Sequence, residues 1–91
     1  MIKERKSSKD TVTISESGNE YSLILFNDEF NTFEFVVETL MQVCEHDGEQ
    51  AYQCTLIAHH NGKCVVKKGL MEDLKLRCSI MINKGLIVKI I

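Results

Sequence analysis

Long apolar runs are what this chain of 91 residues most plainly lacks. None approaches the roughly 18 residues of a membrane-spanning helix, so no membrane partner is expected. The charged start Met1-Ile2-Lys3-Glu4-Arg5-Lys6 leads into no hydrophobic segment, which argues against a signal peptide and for a cytoplasmic protein. Net charge is only -2, and no dense Lys/Arg patch occurs outside the first residues, so nucleic acid is not an expected partner. Cys44, His46, Cys54, His59, His60 and Cys64 include metal donors, yet neither Cys-x-x-Cys nor His-x-x-x-His is present, so no metal or cofactor is expected. A hydrolase in which His59 or His60 activates Cys54 or Cys64 would need a Gly-rich oxyanion turn, and none is visible. Trp and Pro are absent as well, which decides little.

What is there reads as one small domain with an efficiently packed core. Residues 1–20 are polar, charged and Ser-rich and cannot bury enough surface to offset their ordering entropy, so a flexible tail is expected there. Residues 21–91 should form the folded domain, with no internal repeat or linker. Cys44, Cys54, Cys64 and Cys78 sit in apolar or helical stretches and read as reduced, buried thiols.

Tyr21 to Asn27 ends in Leu23-Ile24-Leu25-Phe26, short and apolar enough for a central strand. Asn31 is placed to cap a helix over Thr32 to about Glu45, with Glu34 closing a capping box. Phe33, Val36, Val37, Leu40, Met41, Val43 and Cys44 form its apolar stripe. Asp47 with Gln50 starts a second helix running to His60, and Asn61-Gly62 closes it with a left-handed cap. Lys63 to Lys67 is a second strand, set off by Gly69 from a third helix over Leu70 to about Asn83. Leu70, Leu74, Cys78, Met81 and Ile82 are its expected buried face. Lys84-Gly85 stops that helix before a last strand over Leu86–Ile91. The order predicts a small α/β (α+β) fold, a β-α-α-β-α-β open sandwich with a three-stranded sheet and three helices on one face.

The stretch from Leu23 to Val36 organises the rest. A buried strand halts on Asn27-Asp28, and a helix begins within five residues, so polar side chains are fixed over an apolar floor. Asn27 offers an amide oxygen, Asp28 a carboxylate, and His59 an imidazole nitrogen that accepts only when neutral. Such a site can hold a small charged group against an apolar floor.

Asn27-Asp28-Glu29-Phe30, the helix with Phe33-Glu34-Phe35-Val36, and Leu56-Ile57-Ala58-His59-His60-Asn61-Gly62-Lys63 together resemble the ClpS family. Its members are adaptors that deliver N-degron substrates to a Clp-type AAA+ unfoldase. The resemblance runs from about Tyr21 to the C-terminus. It implies that Asn27, Asp28 and His59 bind the α-amino group and first peptide unit. It further implies that Asn31, Phe33, Val36 and Thr55 line the pocket for the first side chain, and that Glu72 and Arg77 dock on the unfoldase N-terminal domain. Asn31 stands where the family usually has Thr, Thr32 where it usually has Pro, Phe33 where Met is common, and Thr55 in place of a larger apolar residue. The implied function is a non-enzymatic, monomeric adaptor for substrates with a bulky hydrophobic first residue, in which the tail takes part in delivery. The alternative is a domain that docks on the unfoldase and modulates the protease without reading N-termini.

Overall fold

A computed structural model describes residues 19–91, and the tail expected over residues 1–20 lies almost wholly outside them. The elements are β1 (Tyr21–Phe26), α1 (Phe33–Val43), α2 (Gly48–Asn61), β2 (Lys63–Gly69), α3 (Met71–Asn83) and β3 (Ile87–Ile90). β1 is the central strand of an antiparallel sheet ordered β2-β1-β3. The fold is thus α+β, with the three helices against one face of the sheet, in the order the sequence predicts.

Alternation along β1 sends Leu23 and Leu25 into the core, where they meet Val36 and Leu40 of α1, Ala51 and Ala58 of α2, and Leu74 and Met81 of α3. Ile24 points the other way and is nevertheless buried, between its cross-strand neighbours Val65 and Lys89. All four cysteines are free thiols; Cys44 is buried as expected, whereas Cys54, Cys64 and Cys78 are only half-buried. Burial pushes the Cys44 thiol up to about 11. Burial and then a hydrogen bond with Cys54 push the Cys64 thiol to about 12.

Several local expectations are corrected. α1 is capped by Thr32, whose hydroxyl accepts from the Phe35 N–H at 3.1 Å, and not by Asn31. The Asn31 amide is engaged elsewhere, on Asp28 and on the Gly85 carbonyl. α1 also ends at Val43, because Glu45 turns out of the helix in the left-handed region at φ 61°. Lys67 and Arg77 hold the Glu45 carboxylate there. Met41 lies outside the buried stripe and is exposed, as are Leu70 and Ile82 of the expected α3 face. β2 runs two residues further than expected. Val66 makes a bulge opposite Leu23/Ile24, after which Lys67, Lys68 and Gly69 continue the backbone ladder to Tyr21. α2 follows expectation: Asp47 accepts from the Gln50 N–H at 2.7 Å, and Gly62 closes the helix at φ 93°, where a Cβ would be strained.

Candidate functional site

The core leaves one hollow open at the end of β1, of about 190 Å³. Two local features place its rim. The Asn27 N–H donates to the Gly62 carbonyl at 2.9 Å, which ties the strand exit to the C-terminal cap of α2. Because His59 sits in the last turn of α2, that backbone bond brings it to the same mouth as Asn27 and Asp28.

The turn itself is built by Asp28. Its Oδ1 accepts from the Phe30 and Asn31 N–H groups, both at 2.8 Å, and its Oδ2 accepts from the Asn31 side-chain amide at 3.0 Å. The second amide hydrogen of Asn31 goes to the Gly85 carbonyl at 2.9 Å, so the turn is pinned to the loop before β3. A carboxylate has about four lone-pair sites. Three are occupied here, and Asp28 keeps one acceptor position on Oδ2 together with its full charge. Partial burial by itself would raise the Asp28 pKa, but the hydrogen bonds from Asn31 and Phe30 outweigh it and hold the carboxyl below its ordinary value.

All seven residues expected at the amine site and side-chain pocket line this hollow: Asn27, Asp28, His59, Asn31, Phe33, Val36 and Thr55. Val36 and Thr55 are buried and form floor, whereas Asn27 and His59 are exposed at the mouth. The Thr55 hydroxyl donates back to the Ala51 carbonyl at 2.8 Å, so what Thr55 adds to the floor is chiefly a methyl group. Phe33 forms a wall and stands edge-on to Tyr52, ring centroids 5.2 Å apart. Among the described residues, Asn27, Glu29 and His59 make no side-chain hydrogen bond.

Four further lining residues were not anticipated: Leu25, Phe26, Glu29 and Ala58. Helical spacing from Thr55 and His59 could have found Ala58, and the buried end of β1 could have found Leu25 and Phe26. Glu29 carried only the weak signal of a third polar residue in the turn.

Glu72 and Arg77, expected to dock a partner, lie on α3 away from the hollow. Glu72 is exposed. Arg77 is only 18% exposed and clamps the corner after α1. It bonds Asp73 at 2.9 Å, the Val43 carbonyl, and Glu45 at 3.5 Å. Leu76 and Ile80, one and two turns after Glu72 on the same side of α3, are exposed apolar residues. The described residues contain no cluster of three or more His, Cys, Asp or Glu able to hold a metal ion, and no helix long and apolar enough to cross a membrane.

A three-stranded antiparallel sheet under three helices, with a polar-rimmed apolar hollow where its central strand ends, defines a small α+β domain with one candidate binding site. The family described as ATP-dependent Clp protease adaptor protein ClpS matches residues 16–88, and this chain belongs to that family. The ATP-dependent Clp protease adapter protein ClpS of Leptothrix cholodnii is 44% identical over 45 residues, 50% of this chain and 39% of that protein. Its namesake from Campylobacter jejuni is 45% identical over 42 residues, 46% of this chain and 44% of that protein. The matched stretch therefore spans less than half the length of these relatives. Among solved structures, Agrobacterium tumefaciens ClpS2 bound to L-phenylalaninamide has the same fold, with a TM-score of 0.76 at 20% identity, covering 79% of this chain and 94% of that one.

Proposed function

We propose that this chain is a non-enzymatic adaptor that binds the first residue of substrate proteins, a bulky hydrophobic N-degron, and delivers them to a Clp-type AAA+ unfoldase–protease in the cytoplasm. The observation that carries the reading is the hollow at the end of β1, an apolar cavity with Asn27, Glu29 and His59 unpaired at its mouth among the described residues. Membership of the ClpS family supports it, as does the likeness in fold to a protein bound to an amino-acid amide that carries both a free amine and an aromatic side chain.

The chemistry suits that ligand. Asn27 and the open position on Asp28 accept from an ammonium, and His59 in its neutral form accepts too. Glu29 adds negative potential. An apolar cavity of about 150 Å³ takes a benzene ring, so a hollow of about 190 Å³ suits one large side chain. Two charge-assisted hydrogen bonds at about 1.5–3 kcal/mol each, with about 1.5–3 kcal/mol for the buried side chain, leave modest affinity once association is charged against them. Modest affinity is what an adaptor that releases its cargo needs. Delivery needs a second surface, and Glu72 with the exposed Leu76 and Ile80 on α3 is the proposed face for the unfoldase N-terminal domain.

The test is a fluorescence titration with peptides differing only in their first residue, with and without N-acetylation. Leu- or Phe-first peptides should bind well above the Ala-first peptide, and acetylation should abolish the difference. Equal binding of all of them would remove the mechanism and leave a domain that only docks on the unfoldase.

A further inference from the structure

Of the four thiols in this domain, two touch. Cys54 on α2 and Cys64 on β2 are hydrogen-bonded through their side chains where the two elements pack together. Both are half-buried, so the pair is packed against the core and still open to a small reagent. The Cys64 sulfur also lies 3.4 Å from the Val65 carbonyl. The other two cysteines are placed differently. Cys44 is buried, and its thiol donates to the Met81 sulfur at 3.8 Å. Cys78 sits on α3, an element apart from the pair.

The pair borders the lining of the hollow. Cys54 precedes Thr55 of the floor and lies one turn before Ala58, and Cys64 stands opposite Leu25 in the register of β1 and β2. Thr55, Ala58 and His59 all fall between the two cysteines in the chain. So does Gly62, whose carbonyl accepts from the Asn27 N–H.

We propose that Cys54 and Cys64 form a modification site, oxidised reversibly by a hydroperoxide to a disulfide that ties α2 to β2 and weakens binding in the hollow. The effect on binding rests on the adaptor reading; formation of the bond does not. A thiolate is the attacking species, and Cys64 is kept protonated by burial and then by its bond to Cys54, so Cys54 reacts first. Its sulfur attacks one peroxide oxygen, the O–O bond breaks, and a sulfenic acid and hydroxide result. Cys64 gives its proton to that hydroxide, and its sulfur attacks the Cys54 sulfur as the S–O bond breaks. With hydrogen peroxide as oxidant, the two thiols lose two electrons, the peroxide gains them, and two waters leave. An added dithiol reverses the reaction by exchange through a mixed disulfide. Closing the sulfurs from hydrogen-bond contact to a bond of about 2.05 Å draws α2 onto β2 and carries Thr55, Ala58 and His59 with it.

The experiment treats the full 91-residue chain with hydrogen peroxide under native conditions. Remaining thiols are then alkylated in urea, the chain is cleaved after Lys and Glu, and bridges are mapped by mass spectrometry. Glu45, Glu49 and Lys63 place Cys44, Cys54 and Cys64 on separate peptides. A Cys54–Cys64 bridge within one chain should be the main product, with Cys44 and Cys78 recovered alkylated and dithiothreitol restoring the starting mass. No bridge, a bridge between chains, or one through Cys44 or Cys78 overturns the site. This mapping uses the parent chain and so does not depend on whether a variant folds. The bridged protein should bind a Phe-first peptide several-fold more weakly than the reduced one, and dithiothreitol should restore the affinity. Peroxide should leave the affinity of Cys54→Ser and of Cys64→Ser unchanged. An equal loss in those variants, or no loss in the bridged parent, overturns the control of the hollow. Failure of the adaptor reading looks different: the reduced protein would then bind Phe-first and Ala-first peptides alike.

Discussion

Two groups of polar side chains meet opposite fates in this domain. At the corner after α1, Arg77, Glu45, Lys67 and Asp73 are joined to one another and to the Val43 carbonyl. Beside them the buried His46 donates from Nε2 to the Val66 carbonyl at 2.6 Å. At the mouth of the hollow, Asn27, Glu29 and His59 have no such partners among the described residues, although the backbone beneath them is fixed. The first group holds the fold together. The second group is positioned by the fold and returns nothing to it, which is the arrangement expected of side chains kept for a ligand. Asp28 and Asn31 stand between the two, since they build the turn and also line the hollow.

The largest effect should come from the mouth. Asn27→Ala with His59→Ala should weaken binding of a Phe-first peptide on the order of 100-fold, at about 1.5 kcal/mol or more per charge-assisted hydrogen bond. The melting temperature should not change. A fall in melting temperature together with affinity would erase the distinction between the two groups. Arg77→Ala should do the reverse. It leaves the Val43 carbonyl and the Asp73 carboxylate without their donor, takes from Glu45 one of its two cations, and should lower stability by about 1–3 kcal/mol. In a domain of this size each kcal/mol shifts the melting temperature by about 4–8 °C. Peptide affinity should be unchanged.

Asn31→Ala sharpens the boundary between the groups. It removes the link to Gly85, 54 positions away, and should cost about 1 kcal/mol while α1 stays intact, because the cap is Thr32. Thr32→Ala should destabilise by about 0.5–2 kcal/mol through the lost cap. Urea unfolding of the two variants, with helix content followed by circular dichroism, separates a pin from a cap.

How much of this was legible in the sequence depends on how local the deciding interaction is. The short apolar run Leu23-Ile24-Leu25-Phe26 marks the central strand, and Asp47 and Gly62 mark both ends of α2, because each signal is read within a few residues. Asn31 and Thr32 are adjacent residues that both suit a cap. The choice between them is made by the Gly85 carbonyl, which no local pattern contains. The early end of α1 depends on Glu45 being held by Lys67 and Arg77, again from distant elements. Lys67 and Lys68 hide the end of β2, since ladder hydrogen bonds need no apolar side chains. Most residues lining the hollow were legible through family resemblance in combination, whereas Glu29 was not. Exposure of Met41 and Tyr52 is decided by where α2 packs, and helical periodicity alone puts Met41 inside.

The smallest expected effect concerns Asp28, and its sign can be fixed in advance. Partial burial opposes ionisation, but hydrogen bonds from Asn31 and Phe30 favour it more strongly, so the carboxyl pKa is lower folded than unfolded. A group depressed on folding stabilises the native state fully above its unfolded value, about 3.9 for Asp, and loses that contribution as pH falls through the folded value. The stability gap between the parent and Asp28→Ala should therefore be constant from neutral pH down to about 5 and then narrow in stronger acid. Urea midpoints of both proteins across that range measure it. A gap that widens in acid, or that does not respond to pH, would mean that the ionised carboxylate does not build the turn. Asp28 would then belong with Asn27 and His59 as a side chain held open for a ligand.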